Sequence, residues 1–461
     1  MTKKKKILLL CDDLRMHSGI ATMAREFVVG TAHIFDWVQL GAAIKHPDKG
    51  KIFDLSQEVN KQQGITDAYV KVYPWDGYGN QEILRELLNV ERPDAILHFT
   101  DPRFWGWLYA MEHEIRQIMP IFYYNIWDDL PTPMYNQPYY ESCDLLMCIS
   151  KQTYGIVHET LKDKKYQDWQ ITYVPHGINH KTFFPIKETD ECYQRYVDFK
   201  KEILGDKEYD FIVFYNSRNI RRKHTSDLML GFEEFVQTLT PQQREKTLLL
   251  MHTDPVDENG TDLPAVIEAC CKNSNIKFTK VRQATPEQMN FYYNMVDITA
   301  NIASNEGFGL GTAESIMAGT PIIVNVTGGL QDQCGFVDER GNLLTERHYK
   351  GSWKSNHTGK YLVHGKWCTP IWPKAITLQG SIPTPYIFDD IVDYRDLVEP
   401  FKFWYSLSKE TRKELGKQGR DHFMKSEVGM SAEWMCNRFI NDMSTAFMCW
   451  EPRKRFELIL A

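Results

Sequence analysis

Short, unbroken apolar runs recur along this chain and are separated by stretches of helical period. In the first part they fall at residues 7–11, 95–99, 121–124 and 145–149; in the second, at 211–215, 248–251 and 321–324. Runs this short, without polar alternation, suit strands covered on both faces, as inside a parallel sheet. Between them, residues 80–90 carry Ile83, Leu84, Leu87 and Leu88 at helical spacing, and residues 227–239 carry Leu228, Leu230, Phe232 and Phe235. Buried strands alternating with amphipathic helices predict an α/β, doubly wound architecture. The series occurs twice, on either side of the polar stretch Ile186-Lys187-Glu188-Thr189-Asp190-Glu191. The expectation is two Rossmann-like domains, at 1–185 and 206–430. A helical tail at 431–461, with Trp434, Phe439, Phe447 and Trp450, is expected to pack back onto the first domain.

Composition narrows the function classes. With 461 residues, 43% hydrophobic and 25% charged, the chain can bury sizeable cores and is neither disordered nor collagen-like. A net charge of −7 excludes a wholly cationic nucleic-acid binder but not a local basic patch. One such patch is 341–367, where Arg347, Lys350, Lys354, Lys360 and Lys366 face the single acid Glu346, with Tyr349, Trp353, Tyr361 and Trp367 interleaved. It reads as loops or a small hairpin inserted in the second domain, and such a mixture can follow phosphates and stack bases. None of the 10 cysteines forms a Cys-x2-Cys pair, so they read as buried thiols of a reducing compartment. The basic start, Lys3 to Lys6, precedes too short an apolar run for a signal peptide, and no run approaches the roughly 20 apolar residues of a membrane span. A cytoplasmic location is expected.

The strongest chemical signal is Ser304-Asn305-Glu306-Gly307-Phe308-Gly309-Leu310-Gly311-Thr312-Ala313-Glu314. Three glycines let a backbone approach a ligand closely, and the sequence then turns helical from Leu310. A glycine loop opening a helix offers free N–H groups and the positive dipole end to an anion such as a phosphate. Glu314 then suits a diol at one end of the ligand and Glu306 a second hydroxylated group.

That segment, with Glu306 and Glu314 on either side of Gly-Phe-Gly, resembles the signature of family-4 glycosyltransferases, which are retaining enzymes of the GT-B fold. Four other segments match in order: His17-Ser18-Gly19-Ile20, Val174-Pro175-His176-Gly177-Ile178-Asn179, Ser217-Arg218-Asn219-Ile220-Arg221-Arg222-Lys223-His224 and Thr327-Gly328-Gly329-Leu330. The resemblance implies two Rossmann-like domains facing across a cleft and a nucleotide-diphosphate sugar as substrate, with a UDP-sugar favoured. No cofactor and no obligatory protein partner are expected. It places Gly19, Gly307, Phe308, Gly309, Leu310, Gly311 and Glu314 at the donor, and Arg218, Lys223 and Glu306 in catalysis. Arg218 and Lys223 fit physically, because fixed cations lower the barrier to a departing diphosphate. No Asp-x-Asp triplet occurs, consistent with leaving-group stabilisation that needs no metal.

The acceptor is expected on the first domain, beyond its strand ends. Asp101 is the catalytic candidate there, with His98 and Asp128 as acceptor-side candidates, side chains able to orient or partly deprotonate an acceptor hydroxyl. The wording around residues 12–20 and 99–107 also resembles glycosyltransferases encoded by large tailed bacteriophages. That resemblance implies a hydroxymethylated pyrimidine in DNA as acceptor, and the host cytoplasm as location. A glycan or small-molecule acceptor, and a nucleotide-sugar 2-epimerase of the same fold, stay open.

Overall fold

The computed structural model describes residues 3–279 and 283–454. Its first sheet has eight strands: β1 (Lys5–Asp12), β2 (Phe35–Ala42), β3 (Phe53–Asp54), β4 (Val70–Pro74), β5 (Ala95–His98), β6 (Ile121–Asn125), β7 (Leu145–Cys148) and β8 (Ile171–Tyr173). Their order is β3-β4-β2-β1-β5-β6-β7-β8, parallel except where the short β3 pairs antiparallel with β4. The second sheet holds β9 (Phe211–Asn216), β10 (Thr247–His252), β11 (Ile276–Phe278), β12 (Ile298–Asn301), β13 (Ile322–Asn325) and β14 (Cys368–Ile371). It is parallel throughout, in the order β11-β10-β9-β12-β13-β14. Each sheet reverses its winding once, between β1 and β5 and between β9 and β12. Those switch points are where open α/β sheets form ligand crevices.

The apolar runs read from the sequence are the buried centres of these strands; residues 7–11 are completely buried. The two expected helices form at Gln81–Glu91 and Thr225–Gln237. β2 was not legible as an apolar run because it carries Asp36 and Gln39. Gln39 is nevertheless buried, since its amide donates to the Asp12 carbonyl at 2.7 Å and accepts from the Leu14 N–H at 3.0 Å. The stretch between the two expected domains carries a helix, Tyr193–Leu204, whose Phe199 packs on Tyr292 of the second domain at 5.0 Å between ring centroids.

Helix Ala432–Cys449 returns to the first domain. Phe439 stacks on Phe27 at 4.5 Å, and Gly30 makes the close approach feasible, because a Cβ there would stand 2.3 Å from Cys436 Sγ. The end of the expected tail, residues 455–461, lies outside the described residues.

Residues 341–367 form turns around one short 3-10 helix, Glu346–His348, and bridge the domains. Gly351 sits against helix Lys151–Thr160, and its carbonyl accepts from Thr132 Oγ1 at 2.7 Å. Leu130 N–H donates to Asn356 Oδ1 at 2.8 Å. Tyr349 and Trp367 are buried, whereas Arg347, Lys350, Lys354, Lys360 and Lys366 are exposed. The segment contains no hairpin; a two-stranded one follows it, β15 (Ala375–Gln379) and β16 (Ile387–Ile391). Of the cysteines, Cys270 and Cys449 are exposed and the other eight are buried. Among the described residues no helix is long and apolar enough to cross a membrane.

Candidate active site

The loops that leave β9 and β12 flank the second sheet's switch point, and they carry the sequence's two chemical motifs. After β12 the chain runs through Glu306 and the glycines into helix Leu310–Met317. Gly309 has φ +87°, and a Cβ there would stand 2.5 Å from Leu330 Cδ2. No side chain caps this helix, and its first closed turn is Ala313 N–H to the Gly309 carbonyl at 3.1 Å. The amides ahead of that turn have no partner within the helix, the arrangement that suits an anion. Gly328 and Gly329 pack beneath the loop, with Gly329 N–H donating to the Glu306 carbonyl at 2.8 Å.

The loop touches the first domain directly. A Cβ on Gly307 would stand 3.2 Å from Ile149 Cδ1, and one on Gly19 would stand 3.1 Å from Leu310 Cδ1. The helix that Gly19 begins therefore meets the helix that Leu310 begins across the crevice. The His176 ring lies 5.0 Å from Phe308 and is held by the Tyr124 hydroxyl at 2.8 Å from Nδ1.

Four charged groups converge here. Lys223 is buried and its ammonium pairs with the Glu306 carboxylate. Arg222 Nη1 also reaches Glu306, at 3.1 Å, and the Asn305 carbonyl at 2.7 Å. Burial pulls the Lys223 amine down despite Glu306 beside it. Burial alone pushes Glu306 up, but Lys223 and Arg222 outweigh it and hold the carboxyl below its ordinary value. Asp128, from the loop after β6, is the fourth member. Burial pushes it up to about 6, with Arg222 opposing and Glu306 adding to the rise.

Arg218 stands apart from this cluster. Its guanidinium is 61% exposed and donates to Asp257 from Nε at 2.7 Å and Nη2 at 3.2 Å. Glu314, one turn into the helix, accepts from the Tyr293 hydroxyl at 2.8 Å, and Asn216 Nδ2 donates to that hydroxyl at 2.8 Å. Burial pushes Glu314 up to about 7.

On the first domain, Asp101 caps a 3-10 turn, Pro102–Trp105, and is bound by Arg103, whose Nε lies 2.8 Å from Oδ1. His98 is in the core, not at the crevice. Its Nδ1 meets the Tyr109 hydroxyl at 2.7 Å, its Nε2 meets Thr100 Oγ1 at 2.9 Å, and it stacks on Tyr123. Burial pulls its pKa down to about 3, so it is neutral and both nitrogens are engaged. That placement does not suit the acceptor-side role expected of it.

The structure therefore gathers Lys223, Glu306, Asp128 and the glycine loop, holds Arg218 on the rim and removes His98. The sequence reading gave no role to Arg222, Tyr293 or Asp257. Arg222 stands inside the matched segment 217–224 with nothing to single it out, and the other two are joined to the site by contacts far apart in sequence. Among the described residues no three histidine, cysteine or carboxylate side chains converge as a metal site.

No protein-family model matches the chain. A curated protein, alpha-monoglucosyldiacylglycerol synthase of Acholeplasma laidlawii, is 25% identical over 216 residues, covering 46% of this chain and 48% of the relative. The match thus spans about half the length of each protein. Among the solved structures that match nearly end to end are the following two. Sucrose-phosphate synthase from Thermosynechococcus elongatus has a TM-score of 0.65 at 15% identity, over 96% of this chain and 100% of that one. HepE of Anabaena, solved with UDP and glucose, has a TM-score of 0.63 at 11% identity, with the same coverage of 96% and 100%. Two parallel sheets, switch points that face one another and helix tips that meet between them give this chain the GT-B fold.

Proposed function

We propose that the chain is a retaining glycosyltransferase that moves a sugar from a nucleoside diphosphate to an acceptor hydroxyl. One observation carries this reading: a buried lysine and an uncapped, glycine-led helix tip flank the same sheet switch point. Lys223 is paired with Glu306, and Arg218 with Asp257. A diphosphate offers both cations a second anion, and the helix amides add neutral donors. Glu314 accepts from the ribose diol, and Glu306 faces the sugar.

In the transfer, the acceptor oxygen bonds to the anomeric carbon as that carbon's bond to the diphosphate oxygen breaks. The electron pair leaves on the diphosphate, which Lys223, Arg218 and the helix tip stabilise. The acceptor proton passes to the departing phosphate oxygen on the same face of the sugar. Asp101 and Asp128, after β5 and β6, orient the acceptor hydroxyl. A UDP-sugar is the favoured donor; HepE was solved with UDP-glucose.

For the acceptor, the phage resemblance favours a hydroxymethylated pyrimidine in DNA. The exposed cations Arg347, Lys350, Lys354, Lys360 and Lys366 support it. Buried Tyr349 and Trp367 give no stacking surface for a base.

The test is a thermal shift with UDP and GDP, followed by UDP-glucose incubated with candidate acceptors, including hydroxymethylcytosine DNA. At 100 times Kd, UDP should stabilise the protein by about 2.7 kcal/mol. Turnover should persist in EDTA, because leaving-group stabilisation comes from Lys223, Arg218 and the helix amides. Loss of activity on chelation, restored by a divalent ion, would contradict this mechanism. Epimerised donor formed without acceptor would favour the epimerase reading instead.

The Glu314 environment adds a pH dependence. A carboxyl raised to about 7 is half protonated at neutral pH, and only its ionised form accepts from both diol hydroxyls. UDP affinity should therefore rise several-fold between pH 6 and pH 8, measured by calorimetry. The Glu314→Gln protein reports the phosphate's own titration, and the two curves should diverge as pH rises. The sign for folding is opposite. A carboxyl raised in the folded state contributes stability below its unfolded value, and this is lost as pH climbs towards 7.

A further inference from the structure

Hairpin β15–β16 lies outside both sheets, yet its contacts run from the donor loop to the acceptor-side acid. At its foot, buried Asp389 accepts from Arg221 Nη1 at 2.8 Å, Ser304 Oγ at 3.1 Å and Asn305 Nδ2 at 2.8 Å. Asp390 N–H donates to the Ser304 carbonyl at 3.1 Å. The foot thus grips the residues immediately before Glu306 and the turn that bears Lys223. Midway, Ile387 and Phe388 pack in a small apolar cluster with Trp127 and Leu130 of the first domain. Phe388 N–H donates to the Leu130 carbonyl at 2.6 Å, and the Tyr386 carbonyl accepts from the Tyr135 hydroxyl at 2.8 Å. At the tip, Arg103 Nη1 donates to the Pro383 carbonyl at 2.5 Å and to Thr384 Oγ1. The same guanidinium holds Asp101 through Nε and Nη2, and it lies over the Trp127 ring at 5.0 Å.

We propose that this hairpin is a strap through which occupancy of the donor loop fixes Asp101, with Arg103 as the positioning residue at its far end. The proposal rests on the glycosyltransferase reading, since it takes a nucleotide as the ligand that orders residues 304–314. The planar guanidinium is required for this job. One edge grips a carboxylate of the first domain while the remaining amine reaches a carbonyl of the second, and an ammonium cannot span both. Because Asp389 and Asp390 are buried and multiply bonded, ordering the donor loop restrains the hairpin's foot. The apolar cluster passes that restraint to the tip.

The experiment is hydrogen exchange read by mass spectrometry on the full chain, with and without UDP. In the unmodified protein, UDP is expected to slow exchange at 304–314 and, by about fivefold or more, at 99–105. In Arg103→Ala, protection at 99–105 is expected to vanish while protection at 304–314 is kept. Thr384→Val, a milder change at the tip, should weaken it in the same direction, and Arg103→Lys should not restore it. Protection at 99–105 that survives in both Arg103→Ala and Thr384→Val, or that is absent from the unmodified protein while 304–314 is protected, overturns the strap. No protection at 304–314 in the unmodified protein overturns the donor reading, and the strap with it.

Discussion

Lys223→Ala is expected to lower turnover of UDP-glucose by about 10²–10³-fold, the usual cost of removing one preorganised donor from a developing anion. Lys223 is the buried amine of the crevice, and its loop follows one of the two strands at the switch point. Substitution also leaves Glu306 buried, with Arg222 as its remaining cation at 3.1 Å. Losing one partner of a buried pair costs about 3–5 kcal/mol when nothing replaces it, and Arg222 should keep the loss below that range. The two effects can be separated. In Lys223→Ala combined with Glu306→Gln the uncompensated charge is gone, so the urea midpoint should recover while turnover stays well below that of Glu306→Gln alone. Equal recovery of both would show that Lys223 acts only by supporting the fold. Turnover within threefold of the unmodified protein for Lys223→Ala alone would remove the lysine from catalysis.

Gly329→Ala is expected to destabilise the protein by about 1–3 kcal/mol and to weaken UDP binding with it. A Cβ at that position would stand 2.1 Å from the Gly307 carbonyl oxygen and 2.7 Å from Phe308 Cα, both backbone atoms of the donor loop. A backbone cannot rotate aside as a flexible side chain can, so the loop itself must shift. Gly106→Ala is the control, because a Cβ there meets nothing within 4 Å and the residue is helical. That change should be neutral or stabilise by about 0.5–1 kcal/mol. Denaturant unfolding followed by calorimetry with UDP distinguishes the two variants. An unaltered midpoint for Gly329→Ala would mean that the loop tolerates displacement.

The fold was legible wherever burial is local. Apolar runs at 7–11 and 211–215 announce strands covered on both faces, and the glycines from 307 to 311 announce a loop that opens a helix. It was less legible where a polar residue is buried by a hydrogen-bond partner that no sequence period marks. Gln39 in β2 is satisfied by backbone groups of residues 12 and 14, and His98 by Tyr109 and Thr100. Neither pairing has a periodic signature, so in the sequence β2 shows no apolar run and His98 looks available. The electrostatics of the site follow the same rule. The spacing of Arg218 and Lys223 suggests one phosphate grip, yet Glu306 draws Lys223 inward and Asp257 holds Arg218 at the rim. The aromatic content of 341–367 likewise suggested an exposed binding surface, whereas the segment spends Tyr349 and Trp367 on packing.

The return of helix Ala432–Cys449 to the first domain means that the polypeptide crosses between the two halves twice. The crossings run side by side: Ile178 N–H donates to the Met430 carbonyl at 2.9 Å, and Ala432 N–H donates to the Ile178 carbonyl at 3.0 Å. A single covalent crossing would permit swivelling in any direction. Two crossings zipped together leave the halves fewer directions in which to swivel than a single covalent link would.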